Sequence, residues 1–460
     1  MLGPATGGAA YRPHRVSRTD TGMINRRQFI SFGAAATLAL VAGCTGGASD
    51  ESEGSADGFA GDVKGNITVL TNRTDLVNTT LPEYAKKFEA KYPGTKVTFE
   101  GVTNYEDDVT TQLGGGEYGD VLLIPNTVAL SQYGQFFEPL GTVEELKAKY
   151  RFIEPASYEG EAYGLSLGGV AKGFVINKKV WAQAGVTAPP KTPEEFLAGL
   201  QAIADKTDAV PYYTNYKDGW PLSEWNNHRA VLADPKINDT FPTDPDPWQP
   251  GKIQYITDSM LFDLVHQKLN EKDPLTTNWE GSKPLIATGK IGAMLLGSWA
   301  VPQMQEAAKT SNANPDDIGF WPFPYQTGGK FHAAIDGDKL AAVSKNSKNK
   351  ATARAWLDWF VNESGFAADQ QAIPPAIDQE LPAGLKAFTA TGVELVEVPA
   401  ATTNAGKEDE IIKESEIDLK GNIYKQKLVD IARGAAKGTK DSYFAELNKR
   451  WGAAQSQVMQ

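Results

Sequence analysis

The sequence predicts an α/β fold built on a parallel sheet, and three β-rich runs with two helical segments between them predict it. The runs are "ITVLT" (67–71), "KVTFEGV" (96–102) and "DVLLIP" (120–125), and the intervening segments are "LPEYAKKFEAKYPG" (81–94) and "YEDDVTTQLGGG" (105–116). Strand, helix, strand, helix, strand requires crossover connections, which lay strands parallel and pack helices on their faces.

Each element has a local reason. Leu81, Tyr84, Ala85, Phe88 and Tyr92 recur at helical spacing before a Pro-Gly stop. The glycines 114–116 close the second helix as a C-cap; they lack the G-x-x-x-x-G-K-[ST] or G-x-G-x-x-G order of a phosphate loop. The unbroken apolar run "DVLLIP" suits a strand buried on both faces. Ligands of such sheets sit at the carboxyl ends of the strands, which points to "TNRTD" (71–75) and "PNT" (125–127), and so to Asn72, Arg73, Asp75 and Asn126.

Farther along, "KGFVINKKVW" (172–181) reads as a strand running into a helix. In "PPKTPEEFLAGLQAIADK" (189–206), Thr192 is placed as N-cap, Pro193 at the first helical position and Glu195 to close a capping box. Residues 207–280, dense in Trp, Tyr, Pro and Asn, read as helical with long loops. "GKIGAMLLGSW" (289–299) is a further strand ending at a tryptophan. "KLAAVSKNSKNKATARAWLDWFVNE" (339–363) gives a strand, a polar turn and an amphipathic helix whose Trp356, Trp359 and Phe360 share a core face.

A chain of 460 residues suggests two or three compact units, and its net charge of −12 disfavours nucleic acid, which requires a basic surface. The single cysteine closes no intramolecular disulfide and builds no zinc site. It lies in "LVAGC" (40–44), behind Arg26, Arg27 and the uncharged stretch "QFISFGAAATLALVAG". That stretch has the length of a signal-peptide core and is short for a membrane span. "LVAGC" resembles a bacterial lipobox, which makes residues 1–43 an export signal and Cys44 the acylated first residue of a membrane-anchored protein. "NRRQFIS" resembles a twin-arginine signal, with Sec export as the alternative, and Met23 is an alternative start. Residues 44–65, rich in Gly, Ser and Asp, read as a flexible tether.

Catalytic chemistry is sparse. Outside the leader, His228, His266 and His332 are scattered without metal-ligand spacing, so neither metal nor cofactor is expected. "GLSLG" (164–168) matches the serine-hydrolase G-x-S-x-G with Ser166 as nucleophile, but a glycine-rich, β-like stretch follows where the elbow needs a helix. Carboxylates such as Glu224 and Asp218 have the chemistry of a glycosidase pair, though their separation is not readable from sequence.

Taken in order, "ITVLTNRTDLVNTTLPEYAKKFEAKYPGTKVTFEG", "GDVLLIPN", "YGLSLGGVAKGFVINKKVWAQAGVTAPPKTPEEF" and "ATGKIGAMLLGSWA" resemble the extracellular solute-binding proteins of ABC importers, in the carbohydrate-binding branch that includes maltose-binding protein. The resemblance spans residues 61 to about 450. It implies a two-lobed, type II periplasmic-binding-protein-like fold with interlobe hinge strands: lobe 1 from 66–170 and 337–400, lobe 2 from 171–336 and 401–460. Where the family often has a glycine pair before the returning strand, this chain has "DGDK" (336–339).

It also implies a binding function without catalysis: a monomer on the extracytoplasmic face captures a sugar in the interlobe cleft by hinge closure and delivers it to the permease's transmembrane subunits. A sugar presents apolar C–H faces and a rim of hydroxyls, so its site combines aromatic platforms with polar side chains. Trp299 matches the family's tryptophan at the end of the "GSW" strand, a sugar-stacking position. Trp220, Trp225 and Trp279 are further platform candidates. Asn72, Arg73, Asp75, Asn126, Ser166, Glu224, Asp336 and Asp338 complete the implied polar set. A non-sugar solute and a surface glycan-degrading enzyme are the alternatives.

Overall fold

The computed structural model describes residues 57–74, 76–226 and 228–460. The expected signal 1–43, Cys44, the tether as far as 56, and Asp75 lie outside the described residues. The tether's last residues do not behave as one. Phe59 and Val63 pack against a hydrophobic core, and the Lys64 amide donates to Thr352 Oγ1 at 2.8 Å. Two apolar side chains in a Gly/Ser/Asp-rich context are enough to dock the segment.

Among strands of three residues or more, the chain forms β1 (Gly65–Thr71), β2 (Thr95–Gly101), β3 (Val121–Leu123), β4 (Leu165–Asn177), β5 (Val210–Tyr212), β6 (Ile291–Gly297), β7 (Ile318–Trp321), β8 (Lys330–Val343) and β9 (Val393–Val396). β1 pairs in parallel with both β2 and β3, with Leu81–Lys91 and Tyr105–Gly115 as the intervening helices. The second helix ends on Gly116 at φ 80°, the left-handed C-cap that the glycine run implies.

Beyond β3 the sheet continues through β8, β4 and β6 to β5. β3–β8, β8–β4 and β4–β6 are antiparallel, and β6–β5 is parallel. β5 was not expected within 207–280. Its three residues include Pro211, which removes a ladder donor and is tolerated because β5 is the terminal strand of that path.

Two large cores sit at the two ends of this sheet. The first gathers Leu70, Phe88, Val121 and Leu122 with Trp356, Trp359 and Phe360 of the helix Lys350–Asn362. The second gathers Phe174, Trp181, Phe196 and Leu264 with Leu428 and Trp451 from the C-terminal helices Ile423–Ala432 and Lys440–Val458. The helix Pro193–Lys206 shows the predicted cap in a shifted form. Glu195 N donates to Thr192 Oγ1 at 3.2 Å, but the Glu195 carboxylate accepts from Lys191 N at 2.8 Å, one residue earlier than a strict box requires.

β4 and β8 run through both halves: β4 gives Leu165 to the first core and Phe174 and Ile176 to the second. Midway, Gly169 stands opposite Gly337 of the "DGDK" segment, and Phe152 lies against both. A methyl on Gly169 would come within 2.3 Å of the Phe152 ring, and one on Gly337 within 2.6 Å of Phe152 Cβ, so the absence of both side chains makes room for this aromatic wedge. A third passage follows β9. Glu397 accepts from Phe152 N at 2.9 Å, and the Ala400 amide donates to Glu154 at 2.9 Å. The amides of Thr402, Thr403 and Asn404 then converge on Asp239 Oδ1 at 2.8, 2.8 and 3.0 Å.

Candidate functional site: a cleft between the two cores

A cleft of about 1190 Å³ opens between the halves. Arg73, Thr80, Asp369 and Gln370 line it on the first side, Trp299, Gln303, Glu306 and Glu224 on the second, and Asp336 and Asp338 along β8.

Trp299 ends the turn after β6, where the helix Ala300–Thr310 begins. Its indole folds over Gly297 so closely that a Cβ there would lie 2.4 Å from Trp299 Cδ1. Two other tryptophans pack against the same indole, with ring centroids 5.8 Å away for Trp220 and 5.6 Å for Trp279, which are themselves 5.1 Å apart. The result is one half-buried aromatic plate, braced from behind and facing the cleft.

Beside it, Lys172 on β4 is nearly buried, with 12% of its side chain exposed. Its ammonium lies 3.3 Å from Glu224 and 3.6 Å from Asp336. Burial opposes the charge, but Glu224 and then Asp336 outweigh it and hold the lysine above its usual pKa. His228, stacked on Phe323 at 4.5 Å, donates to the Glu224 backbone carbonyl at 3.1 Å. Burial, reinforced by the charge on Lys172, pushes this histidine down to about 3, so it stays neutral at working pH.

On the opposite wall, Arg73 donates to Gln370 at 2.7 Å and Tyr84 donates to Asp369, tying the loop after β1 and the helix Leu81–Lys91 to the end of the short helix Phe366–Asp369. In all, five carboxylates and three cationic side chains line the cleft, so the wall does not attract anions.

Of the residues expected from sequence, Trp299, Arg73, Glu224, Asp336 and Asp338 line this cavity. Trp220 and Trp279 brace Trp299 instead of lining it. Trp225 is corrected to a core residue: it is fully buried, and its indole N–H donates to Tyr212 Oη at 3.0 Å. Ser166 is likewise buried inside β4, where its hydroxyl bonds the carbonyls of Gly168 at 2.6 Å and Asp338 at 3.0 Å, leaving it unavailable to a ligand or as a nucleophile. Asn126 is held by Glu106 through its backbone amide at 2.7 Å, away from the cleft lining, and Asn72 is exposed on the loop outside it.

Sequence reasoning missed Lys172, Asp369, Gln370, Gln303 and Glu306. Only Lys172 carried a signal, a lone charge inside the buried run "GGVAKGFVIN". Among the described residues no cluster of His, Cys, Asp and Glu is arranged to hold a metal ion, and no helix is long and apolar enough to cross a membrane.

Residues 74–365 match the sequence profile of the bacterial extracellular solute-binding proteins. Among curated proteins, the chain is 27% identical over 378 residues to the diacetylchitobiose binding protein DasA of Streptomyces coelicolor, covering 76% of this chain and 82% of that protein. Among solved structures it is similar to BlMnBP1, a binding protein of an ABC transporter from Bifidobacterium animalis subsp. lactis in complex with mannobiose. There the identity is 34% and the TM-score 0.75, over 86% of this chain and 95% of the other. A second protein from that organism, the manno-oligosaccharide specific BlMnBP2 in complex with mannotriose, gives 32% and 0.75 over the same shares.

Proposed function

Because the chain belongs to the bacterial extracellular solute-binding protein family, we propose that it captures a neutral oligosaccharide, of the manno- or chito-oligosaccharide kind, and hands it unaltered to an ABC permease. The observation that carries this reading is the braced Trp299 plate facing a polar wall across one cleft. An indole face suits the C–H side of a pyranose, and the carboxylates and amides around it suit hydroxyl donors. Arg73, Glu224, Asp336 and Asp338 are assigned to hydroxyl recognition, with Asp369, Gln370 and Gln303 added.

Since the two walls are carried by the two halves of the chain, joined by β4, β8 and the segment 397–404, a ligand touching both favours a closed arrangement, which is the form the permease would accept. The lobes are assigned as 66–170 with 337–400, and 171–336 with 401–460. Cys44 is assigned as the lipid attachment that keeps the body on the extracytoplasmic face.

A thermal-shift panel of neutral oligosaccharides tests the reading. A ligand at 100 times its dissociation constant adds about 2.7 kcal/mol of stability. Retention of unmodified saccharide at one per chain supports capture, and release of shortened products rejects it in favour of hydrolysis.

A further inference from the structure

We infer that the ligand path continues past the Lys172 cluster: a second chamber of about 580 Å³ beyond Asp336 is a further subsite for uncharged, hydroxyl-bearing units of the same glycan. This deepens the oligosaccharide reading and rests on it.

The half-exposed Asp336 lines both cavities, so they adjoin at one residue. The chamber is again bounded from both sides, by Leu130 beyond β3 and by Asn226 and Arg229, and its remaining wall is the third passage with Asn404. The main cleft alone exceeds the roughly 300–1,000 Å³ of an ordinary small-ligand pocket, and a side chamber adjoining it at Asp336 suits a chain longer than a disaccharide.

The chamber's chemistry selects the class of ligand. Three asparagine amides are immobilised by donating to backbone carbonyls: Asn226 to Gly421 at 3.0 Å, Asn238 to Pro399 at 2.8 Å and Asn404 to Asp239 at 2.6 Å. Each retains acceptor capacity on its amide oxygen for a hydroxyl, and fixed acceptors lose little entropy on binding. The charges nearby are paired, Arg229 bidentate with Glu408 at 2.8 and 2.6 Å and Lys420 with Asp409. A uronate or phosphosugar therefore meets no unpaired cation there, whereas a neutral unit is matched. Leu130, 49% exposed, offers the apolar contact that a pyranose face requires.

Calorimetric titration with manno- and chito-oligosaccharide ladders of two to six units tests this on the wild type, Leu130→Trp and Asn238→Ala. For the ladder that binds, affinity should rise about tenfold or more between the shortest and longest members. That increment should collapse in Leu130→Trp, whose indole fills the mouth, and shrink severalfold in Asn238→Ala. An affinity flat from the disaccharide onward, or an increment unchanged in both variants, overturns the second subsite while leaving the cleft reading intact. Failure of every member of both ladders to bind overturns both.

Discussion

At the scale of single residues, Trp299 concentrates the binding argument, because three contacts hold its ring before any ligand arrives. Trp299→Ala should weaken saccharide binding by about tenfold to a hundredfold, the range of an aromatic hot spot, while the unliganded protein keeps its circular dichroism spectrum. Trp220→Ala removes only a brace and should cost less, as calorimetry will read. A second residue prediction concerns Glu271, buried beneath Thr214, whose amide donates to it at 2.9 Å; burial raises its pKa to about 7. A carboxyl whose folded pKa lies above the unfolded value stabilises the fold at low pH and loses that contribution as pH rises through 7. Glu271→Gln should therefore be more stable than wild type at pH 8, by on the order of 2–3 kcal/mol, with little gain below pH 4.5 in chemical denaturation. Trp299 was singled out through the family resemblance at the end of the "GSW" strand, and the structure places it in the cleft lining. Trp225, in an equally aromatic stretch, was not: its fate depends on Phe174 and Tyr212, which meet it only after folding.

At the scale of elements, the crossing of β4 and β8 is the point where packing and motion meet. Phe152 lies across Gly169 and Gly337, so Phe152→Ala should cost about 3–5 kcal/mol as a large cavity in the sheet. Gly169→Ala should destabilise the fold through overlap with that ring, and the same change in a Phe152→Ala background should cost much less. A double-mutant cycle by urea denaturation measures the coupling. The strands and the two sheet-covering helices of the first half were readable because each has its own apolar period and punctuation. β5 was hidden by its length and its proline, and the polar wall at Asp369 and Gln370 was hidden because a short helix far along the chain brings it opposite Arg73.

For the molecule as a whole, two cores joined by three passages of chain predict a change of shape on binding. The radius of gyration measured by small-angle scattering should fall when a saturating oligosaccharide is added, and Trp299→Ala should abolish the fall at the same ligand concentration. Local patterning predicted an α/β chain; the pairing of distant segments into two bodies came from resemblance, since periodicity carries no information about which sheet edge a late strand will join. That pairing matters for how the protein is made. The first core draws on residues from 67 to 165 and again from 341 to 366, with most of the second body threaded between. During synthesis or passage through a narrow pore from the amino end, the early strands must therefore wait, uncovered, for Trp356 and Phe360 to emerge, so this half finishes folding only after the whole stretch between residues 165 and 341 has followed it out.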